Sequence, residues 1–415
     1  MKKTLLTICL TWMCFSLSAQ KIIDLSGKWS FSIDRQDNGE KEKWFSHTLN
    51  DCINLPGSMP EKLKGDEVTA KTQWTGSLYD SSYYYNPYME KYRKEGNIKF
   101  PFFLTPDKHY VGAAWYQKEV NIPADWKGER ILLFLERPHI ETTVWVNGQK
   151  TGMQNSLCVP HQYDITRYVR PGKCTITIRV DNRIKEINVG PDSHSITDQT
   201  QGNWNGIVGR ICLQTTPKTY FDDIQIYPEP EQKLARVKVV IKGAGITKIK
   251  LSAESFNTDK KHIVPAIQQE IKLNKGVTET EMVLPMGNDM LLWDEFHPAL
   301  YKLKAEVTNG KKTEIKEIQF GMRRFEIKGK WFYVNGRKTQ LRGTVENCDF
   351  PLTGYAPMDV ESWERVFRIC RSYGLNHMRF HSFCPPEAAF IAADRVGFYL
   401  QPEGPSWPNP VSYTH

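Results

Sequence analysis

The chain has no G-x-G-x-x-G or Walker sequence, no C-x-x-C pair and no run of basic residues. The first absence removes the usual phosphate cradle of nucleotide-binding folds. The second leaves the cysteines without zinc-finger or redox spacing. The third argues against a nucleic-acid surface, because Lys and Arg are scattered among acids and the formal charge is only +8 in 415 residues. No segment after the first 20 residues is apolar enough to span a bilayer. Nine cysteines are present, but Cys9 and Cys14 lie in an apolar leader, and the remaining seven are expected to be buried free thiols.

The leader is Met1-Lys-Lys, an apolar stretch and then Ser18-Ala19, the pattern of a secretory signal over residues 1–19 with cleavage near Ala19 or Gln20. That predicts a secreted, periplasmic protein. A length of 415 residues suggests two to three domains. Residues 22–230 offer short alternating runs broken by Gly, Pro and Asn, such as Ala114-Trp-Tyr-Gln-Lys-Glu-Val120 and Thr142-Thr-Val-Trp-Val146. This is β-sandwich patterning, with Asn147-Gly148 and later Asn335-Gly336 as type I′ turns. A second, Lys-rich module over 221–327, with strands expected at 236–241, 248–253 and 301–307, reads as an immunoglobulin-like spacer.

The end of the chain changes period. A strand-like run over 339–344 is followed by Asp359 as helix N-cap and the stripe Trp363, Val366, Phe367 and Cys370. Gly374 stops that helix, 375–380 reads as a second strand, Pro386 and Gly397 bracket a second helix, and 398–401 is a third strand. Such a β-α-β-α-β run requires parallel pairing, in a closed barrel or an open doubly wound sheet, and the missing glycine-rich turn favours the barrel. Residues 331–415 number 85, against the roughly 250 of a closed barrel.

Both architectures bind ligands at the carboxyl ends of the strands. There the sequence places Glu346 and Asp349, then Arg379 and His381, then Glu403 and Trp407. A second cluster lies at 74–92, where Trp74, Tyr83, Tyr84 and Tyr85 sit with three further tyrosines beside Asp80, Asn86 and Arg93. Aromatic faces stack on sugar rings, and equally pin a long loop to its own domain. No compact His or carboxylate set suggests a metal, and nothing suggests a cofactor.

The strings Asp24-Leu-Ser-Gly-Lys-Trp29, Leu55-Pro-Gly57, Val144-Trp-Val-Asn-Gly148, Tyr163-Asp-Ile-Thr166, Val180-Asp-Asn182, Gly206-Ile-Val-Gly-Arg210 and Gly321-Met-Arg-Arg324 occur in the order of a known family. With Val334-Asn-Gly336 and Leu341-Arg-Gly343 they make the chain resemble glycoside hydrolase family 2, the β-galactosidases, β-glucuronidases and β-mannosidases, especially secreted members from Bacteroidetes. The resemblance implies a mainly β, multidomain chain. Its parts would be a jelly-roll-type, galactose-binding-like β-sandwich over 20–220, an immunoglobulin-like β-sandwich over 221–327, and the first βα units of an incomplete TIM (β/α)8 barrel over 328–415.

It further implies a retaining exo-β-glycosidase acting on plant or host glycans, with a carbohydrate substrate and two catalytic glutamates. The family places its acid/base in an Asn-Glu pair after the fourth strand. No Asn-Glu dipeptide occurs in these 415 residues, so both glutamates are expected beyond His415 and the chain alone is expected to be inactive. Met378-Arg-Phe-His-Ser382 and Gly397-Phe-Tyr-Leu-Gln-Pro-Glu403 are similar to the family's second- and third-strand motifs. Thr344-Val-Glu-Asn-Cys-Asp349 departs from its first-strand string, which points to a sugar other than galactose. The alternative is a secreted, non-catalytic carbohydrate-binding protein using the sandwich and its tyrosine loop. Because parallel edges would be left uncovered, limited proteolysis is expected to remove residues 331–415 before it cuts the upstream modules, as followed by mass spectrometry of the fragments.

Overall fold

The computed structural model describes residues 21–69, 71–76, 85–97, 106–185, 193–198 and 200–404. The leader, Tyr83, Tyr84 and Trp407 lie outside the described residues. Among the described residues no helix is long and apolar enough to cross a membrane.

The first module is two facing sheets. One runs Ile22–Asp24, Gly206–Thr216, Arg130–His139, His161–Asp164, with Gly57–Ser58 paired to Gly206–Thr216. The other has the order Gln149–Asn155, Glu141–Val146, Gly172–Asp181, Ala113–Ile122, Gly27–Asp34, Asp51–Leu55. Alternation supplies the core: Trp29, Phe31, Tyr116, Leu133, Leu135, Val144, Ile176, Ile178 and Leu213 interdigitate between the sheets. The outer face of the six-stranded sheet is also covered, since Trp115 and Trp145 pack against Trp44, Phe45 and Leu49. That is why Gly172–Asp181 is buried on both faces where period-2 patterning would leave one wet. Asn147 and Gly148 have φ of 50° and 77°, and Asn335 and Gly336 of 50° and 76°, the pairing a type I′ turn requires.

The second module differs from the expected run of short strands. Leu234–Phe256 is one 23-residue strand, paired along its length with Ile263–Pro285. Its first half pairs Tyr220–Glu229 and its second half Leu300–Asn309. The strands expected at 236–241 and 248–253 are thus one, and the register shift between Gly243 and Gly245 is a bulge between the half that pairs Tyr220–Glu229 and the half that pairs Leu300–Asn309. Val237, Val239, Ile249, Leu251, Tyr301 and Leu303 share one core as a result.

After a three-stranded antiparallel sheet (Phe325–Lys328, Trp331–Val334, Arg337–Thr339) the chain forms three parallel strands, Gly343–Glu346, His377–Phe380 and Tyr399–Gln401, in sequence order. The expected strand at 339–344 is divided in two, because the Asn376 side chain accepts from the Arg342 backbone N–H at 2.7 Å and donates to the Gln340 carbonyl at 3.1 Å. Helix Val360–Ser372 is capped by Asp359, which accepts from the Ser362 N–H at 2.7 Å. It buries Trp363 and Phe367 against Phe380 and Phe398.

This unit is fastened to both sandwiches. Buried Glu295, from the loop before Leu300–Asn309, accepts from Arg342 at 3.1 Å and from Asn376 at 2.9 Å. Arg371 donates to the carbonyls of Glu295, Val396 and Gly397 at 2.5–2.8 Å. Gly397, at φ 76°, ends the second helix Glu387–Val396, and a Cβ there would lie 2.7 Å from the Glu295 carbonyl oxygen. Gly374, at φ 80°, has open space around it. Gly374→Ala is therefore expected to cost only left-handed strain, roughly 1–2 kcal/mol, whereas Gly397→Ala adds a collision between modules. Urea midpoints of the two variants should fall in that order.

Candidate functional site

Hydrogen bonding along the parallel strands aligns Val345, Arg379 and Gln401 side by side. The carboxyl ends of all three strands therefore rise at one edge, and the sequence-predicted residues follow there. Arg379 grips Glu403 through a two-point pair, Nε to Oε1 at 2.6 Å and Nη2 to Oε2 at 3.2 Å. Glu403 Oε2 also accepts from the Ser382 N–H at 2.8 Å. The Arg379 guanidinium holds the Glu403 carboxyl below the usual range, helped by the Ser382 bond and opposed by partial burial. The pair remains partly open to solvent, with side chains 40% and 21% exposed.

A second cluster follows the first strand. Glu346 Oε1 accepts from the Cys348 N–H at 2.8 Å, and the Glu346 carbonyl accepts from the His381 N–H at 3.0 Å. Asp349 carries a buried Oδ1 with no hydrogen-bond partner among the described residues. Burial, reinforced by the charge of Glu346, pushes its carboxyl up to about 6. Cys348 and Ser382, just beyond the first and second strands, hold left-handed φ of 62° and 54°. Non-glycine residues keep that conformation only where their surroundings fix it. For Ser382 the fixing is visible: its N–H goes to Glu403, and its carbonyl accepts from the Ser195 hydroxyl at 2.5 Å.

Ser195 belongs to the first sandwich, and it introduces residues that sequence reasoning missed. Residues 193–198 and 200–204 lie against this edge. Gln201 Nε2 donates to the His381 carbonyl at 2.8 Å, and the His194 and His381 rings meet edge to face at 4.8 Å. Burial, then His381, holds the His194 imidazole below its usual range. On its other side the segment holds Trp74. Asp198 accepts from the Thr75 N–H at 2.7 Å and pairs with His109 Nε2 at 3.0 Å, while the His109 ring lies 4.9 Å from Trp74.

Trp74 thus stands in a polar frame beside the edge. Tyr85 and Tyr88, at 73% and 83% exposure, face solvent, and residues 87–92 form a 3₁₀ turn where the sequence suggested loop. One signal for segment 193–204 was available. Ser193-His-Ser-Ile-Thr-Asp198 and Gln201-Gly-Asn-Trp-Asn205 are polar stretches without strand alternation, yet Ser193, Asp198, Gln201, Asn203 and Asn205 are buried. Buried irregular backbone is costly unless it does something.

Two β-sandwiches leading into parallel βα units, with ionisable groups gathered at the strand ends, define a class of modular chain. The chain belongs to glycosyl hydrolases family 2: the profile of that family's sugar binding domain matches residues 22–217, and a second family 2 profile matches 219–323. It is 24% identical to the β-galactosidase of Thermoanaerobacter pseudethanolicus, over 75% of this chain and 42% of that protein. It is 23% identical to the β-glucuronidase of Homo sapiens, over 92% of this chain and 57% of that one.

Among solved structures, a β-glucuronidase from Ruminococcus gnavus in complex with D-glucuronic acid matches with a TM-score of 0.67 at 19% identity, covering 93% of this chain and 60% of that one. A family 2 member from Bacteroides cellulosilyticus matches with a TM-score of 0.66, covering 92% and 47%. The chain thus spans from two fifths to three fifths of these relatives.

Asp349 supplies a test of the site's electrostatics. A carboxyl raised in the folded state binds a proton that the unfolded chain has already lost, so stability falls as pH rises from about 4 to about 6. Asp349→Asn removes that loss. Chemical denaturation should show the variant gaining roughly 2 kcal/mol over the parent at pH 7, and little at pH 4.

Proposed function

We propose that this chain carries the sandwich modules and the opening βα units of a TIM-barrel, retaining, exo-acting β-glycosidase, with one flank of its sugar site at the carboxyl edge of the parallel strands. The observation that carries this reading is the Arg379–Glu403 pair, partly open to solvent at that edge, with Ser195 and Gln201 of the sandwich bonded to the neighbouring Ser382 and His381 carbonyls. A guanidinium and a carboxylate held in fixed orientation offer a donor and an acceptor to sugar hydroxyls, and His381, Glu346, Asp349 and Trp74 add polar and aromatic partners around them.

Retaining hydrolysis needs two carboxyl groups about 5 Å apart, one as acid/base and one as nucleophile. In this reading Glu403 serves neither role, because its charge is already committed to Arg379. The 415 residues bind sugar and do not turn it over, since they contain no Asn-Glu pair to supply the acid/base. The names of the relatives support a β-linked glucuronide or galactoside as the substrate class. The apolar leader supports export to the periplasm.

A second reading, binding without any catalytic partner, draws on the solvent-facing Tyr85 and Tyr88 rings. Saturation-transfer NMR of the 415-residue chain with galactose and glucuronic acid separates the two. Signal from a monosaccharide that disappears in Arg379→Ala supports the strand-edge site. Signal that survives Arg379→Ala and disappears in Tyr88→Ala supports the second reading. In either case p-nitrophenyl β-glycosides should release no nitrophenol, and release abolished by Glu403→Gln would overturn the assignment of Glu403 to binding alone.

A further inference from the structure

The seven cysteines outside the leader are free thiols, and only Cys174, Cys212 and Cys348 are buried, so the expectation of seven buried thiols fails for Cys52, Cys158, Cys370 and Cys384. Among the described residues no disulfide joins the modules. The seam between the first sandwich and the parallel unit is held instead by contacts such as Ser58 to the Thr353 carbonyl and Tyr355 to Glu61. Part of that seam stays open. A recess of about 1040 Å³ lies between strand Gly206–Thr216 on one side and, on the other, the loop after the first parallel strand with the helices Val360–Ser372 and Glu387–Val396. The strand bulges there, with a register shift between Val208 and Ile211, and a Cβ on Gly209 would lie 2.7 Å from Met358 Cε.

The walls of the recess are largely apolar. Phe350, Leu352, Pro357, Met358 and Ile391 line it, and Leu352 is 87% exposed. Its charges are almost all of one sign. Asp24, Glu136, Asp349, Asp359, Glu361 and Glu387 line it against a single cation, Arg210. That guanidinium is already committed, from Nε to Glu136 at 2.9 Å and from Nη2 to Glu387 at 3.1 Å. Asp24 accepts from the N–H and hydroxyl of Ser26, and Asp359 from those of Ser362, neutral donors that leave both charges in place. The Glu361 side chain has no hydrogen-bond or ion-pair partner among the described residues. Asp349 adds a buried Oδ1 that no donor meets. In a chain of formal charge +8, this is a local reversal of sign.

We propose that the recess is a binding site for a small organic cation, an amine carried on an apolar aryl or alkyl body. Its volume is at the upper end of small-ligand pockets, which run to roughly 1,000 Å³. An apolar body against these walls leaves water favourably, in proportion to the area removed. An ammonium at the rim is attracted by every carboxylate within a Debye length, about 10 Å at 0.1 M salt. The same groups repel a carboxylate ligand of the same shape. The Arg379–Glu403 pair takes no part in the lining, so this inference does not depend on the glycosidase reading.

Ligand-observed NMR of the 415-residue chain with 4-phenylbutylamine, 4-phenylbutanol and 4-phenylbutyrate tests it, because the three share a body and differ in charge. The amine is expected to bind, the alcohol about tenfold more weakly, and the acid not measurably. Raising the salt from about 20 mM to about 500 mM should remove most of the amine's advantage over the alcohol. Glu361→Gln should weaken the amine about threefold and leave the alcohol unchanged, whereas Leu352→Ser should weaken both. Both substitutions are at exposed residues, and unchanged urea midpoints check that the variants fold. Arg379→Ala should leave amine binding intact, and its loss there would move the ligand to the strand edge and refute the proposal. So would no binding of the amine, equal binding of all three compounds, or amine binding indifferent to both Glu361→Gln and Leu352→Ser.

Discussion

A three-stranded parallel sheet with two helices cannot satisfy or cover itself, and the rest of this structure is arranged around that fact. Parallel sheets persist where both faces and edges are covered. Here polar joints to the upstream modules supply part of that covering. Glu295 receives Arg342 and Asn376, and Arg371 spans the carbonyls of Glu295, Val396 and Gly397. From the other side Arg137 reaches the Cys384 carbonyl, Tyr355 reaches Glu61 at 3.0 Å, and the Ser58 hydroxyl bonds the Thr353 carbonyl. Buried polar joints of this kind are strong only when every partner is present. The two sandwiches therefore hold the parallel unit in place as well as preceding it.

The site inherits its order from the same joints. Ser382 is left-handed because Glu403 pulls on its N–H while Ser195 of the sandwich pulls on its carbonyl. His381 is clamped through its backbone by Glu346 and Gln201, one bond from the neighbouring strand and one from the other module. Neither module alone would hold the edge in this conformation. A site made where two modules meet gains rigidity from the packing of both, and elements of fixed geometry position ligands better than free loops do.

Period and punctuation were enough to read the βα elements. Asp359, Gly374 and Gly397 took their capping positions, and the Trp363 and Phe367 stripe became the buried helix face. What could not be read is long-range. Whether Gly243 and Gly245 end a strand or bulge it depends on which strands lie alongside. The split of 337–346 depends on the side chain of Asn376, more than 30 residues away. The site divides the same way. Arg379 and Glu403 were legible because one lies near the end of a strand and the other just after one, whereas Asp198, His194 and Gln201 lie some 180 residues earlier, in a stretch with no period of its own.

Two carboxyls at one edge are driven in opposite directions, and the environment of each explains why. Glu403 is held ionised by a guanidinium and a backbone N–H. Asp349 loses hydration to burial, feels the charge of Glu346 and has an Oδ1 without a donor, so it retains a proton up to about pH 6. In mildly acid solution the edge therefore presents a carboxylate that only accepts hydrogen bonds and a carboxylic acid that also donates one. A sugar hydroxyl is both donor and acceptor, and an edge offering both characters at fixed positions matches it more closely than two carboxylates would. As pH rises past 6 that complementarity is lost through Asp349, while the Arg379–Glu403 pair is unaffected. In the proposed sugar site, the acid arm of any pH dependence of binding then belongs to Glu403 and the neutral arm to Asp349.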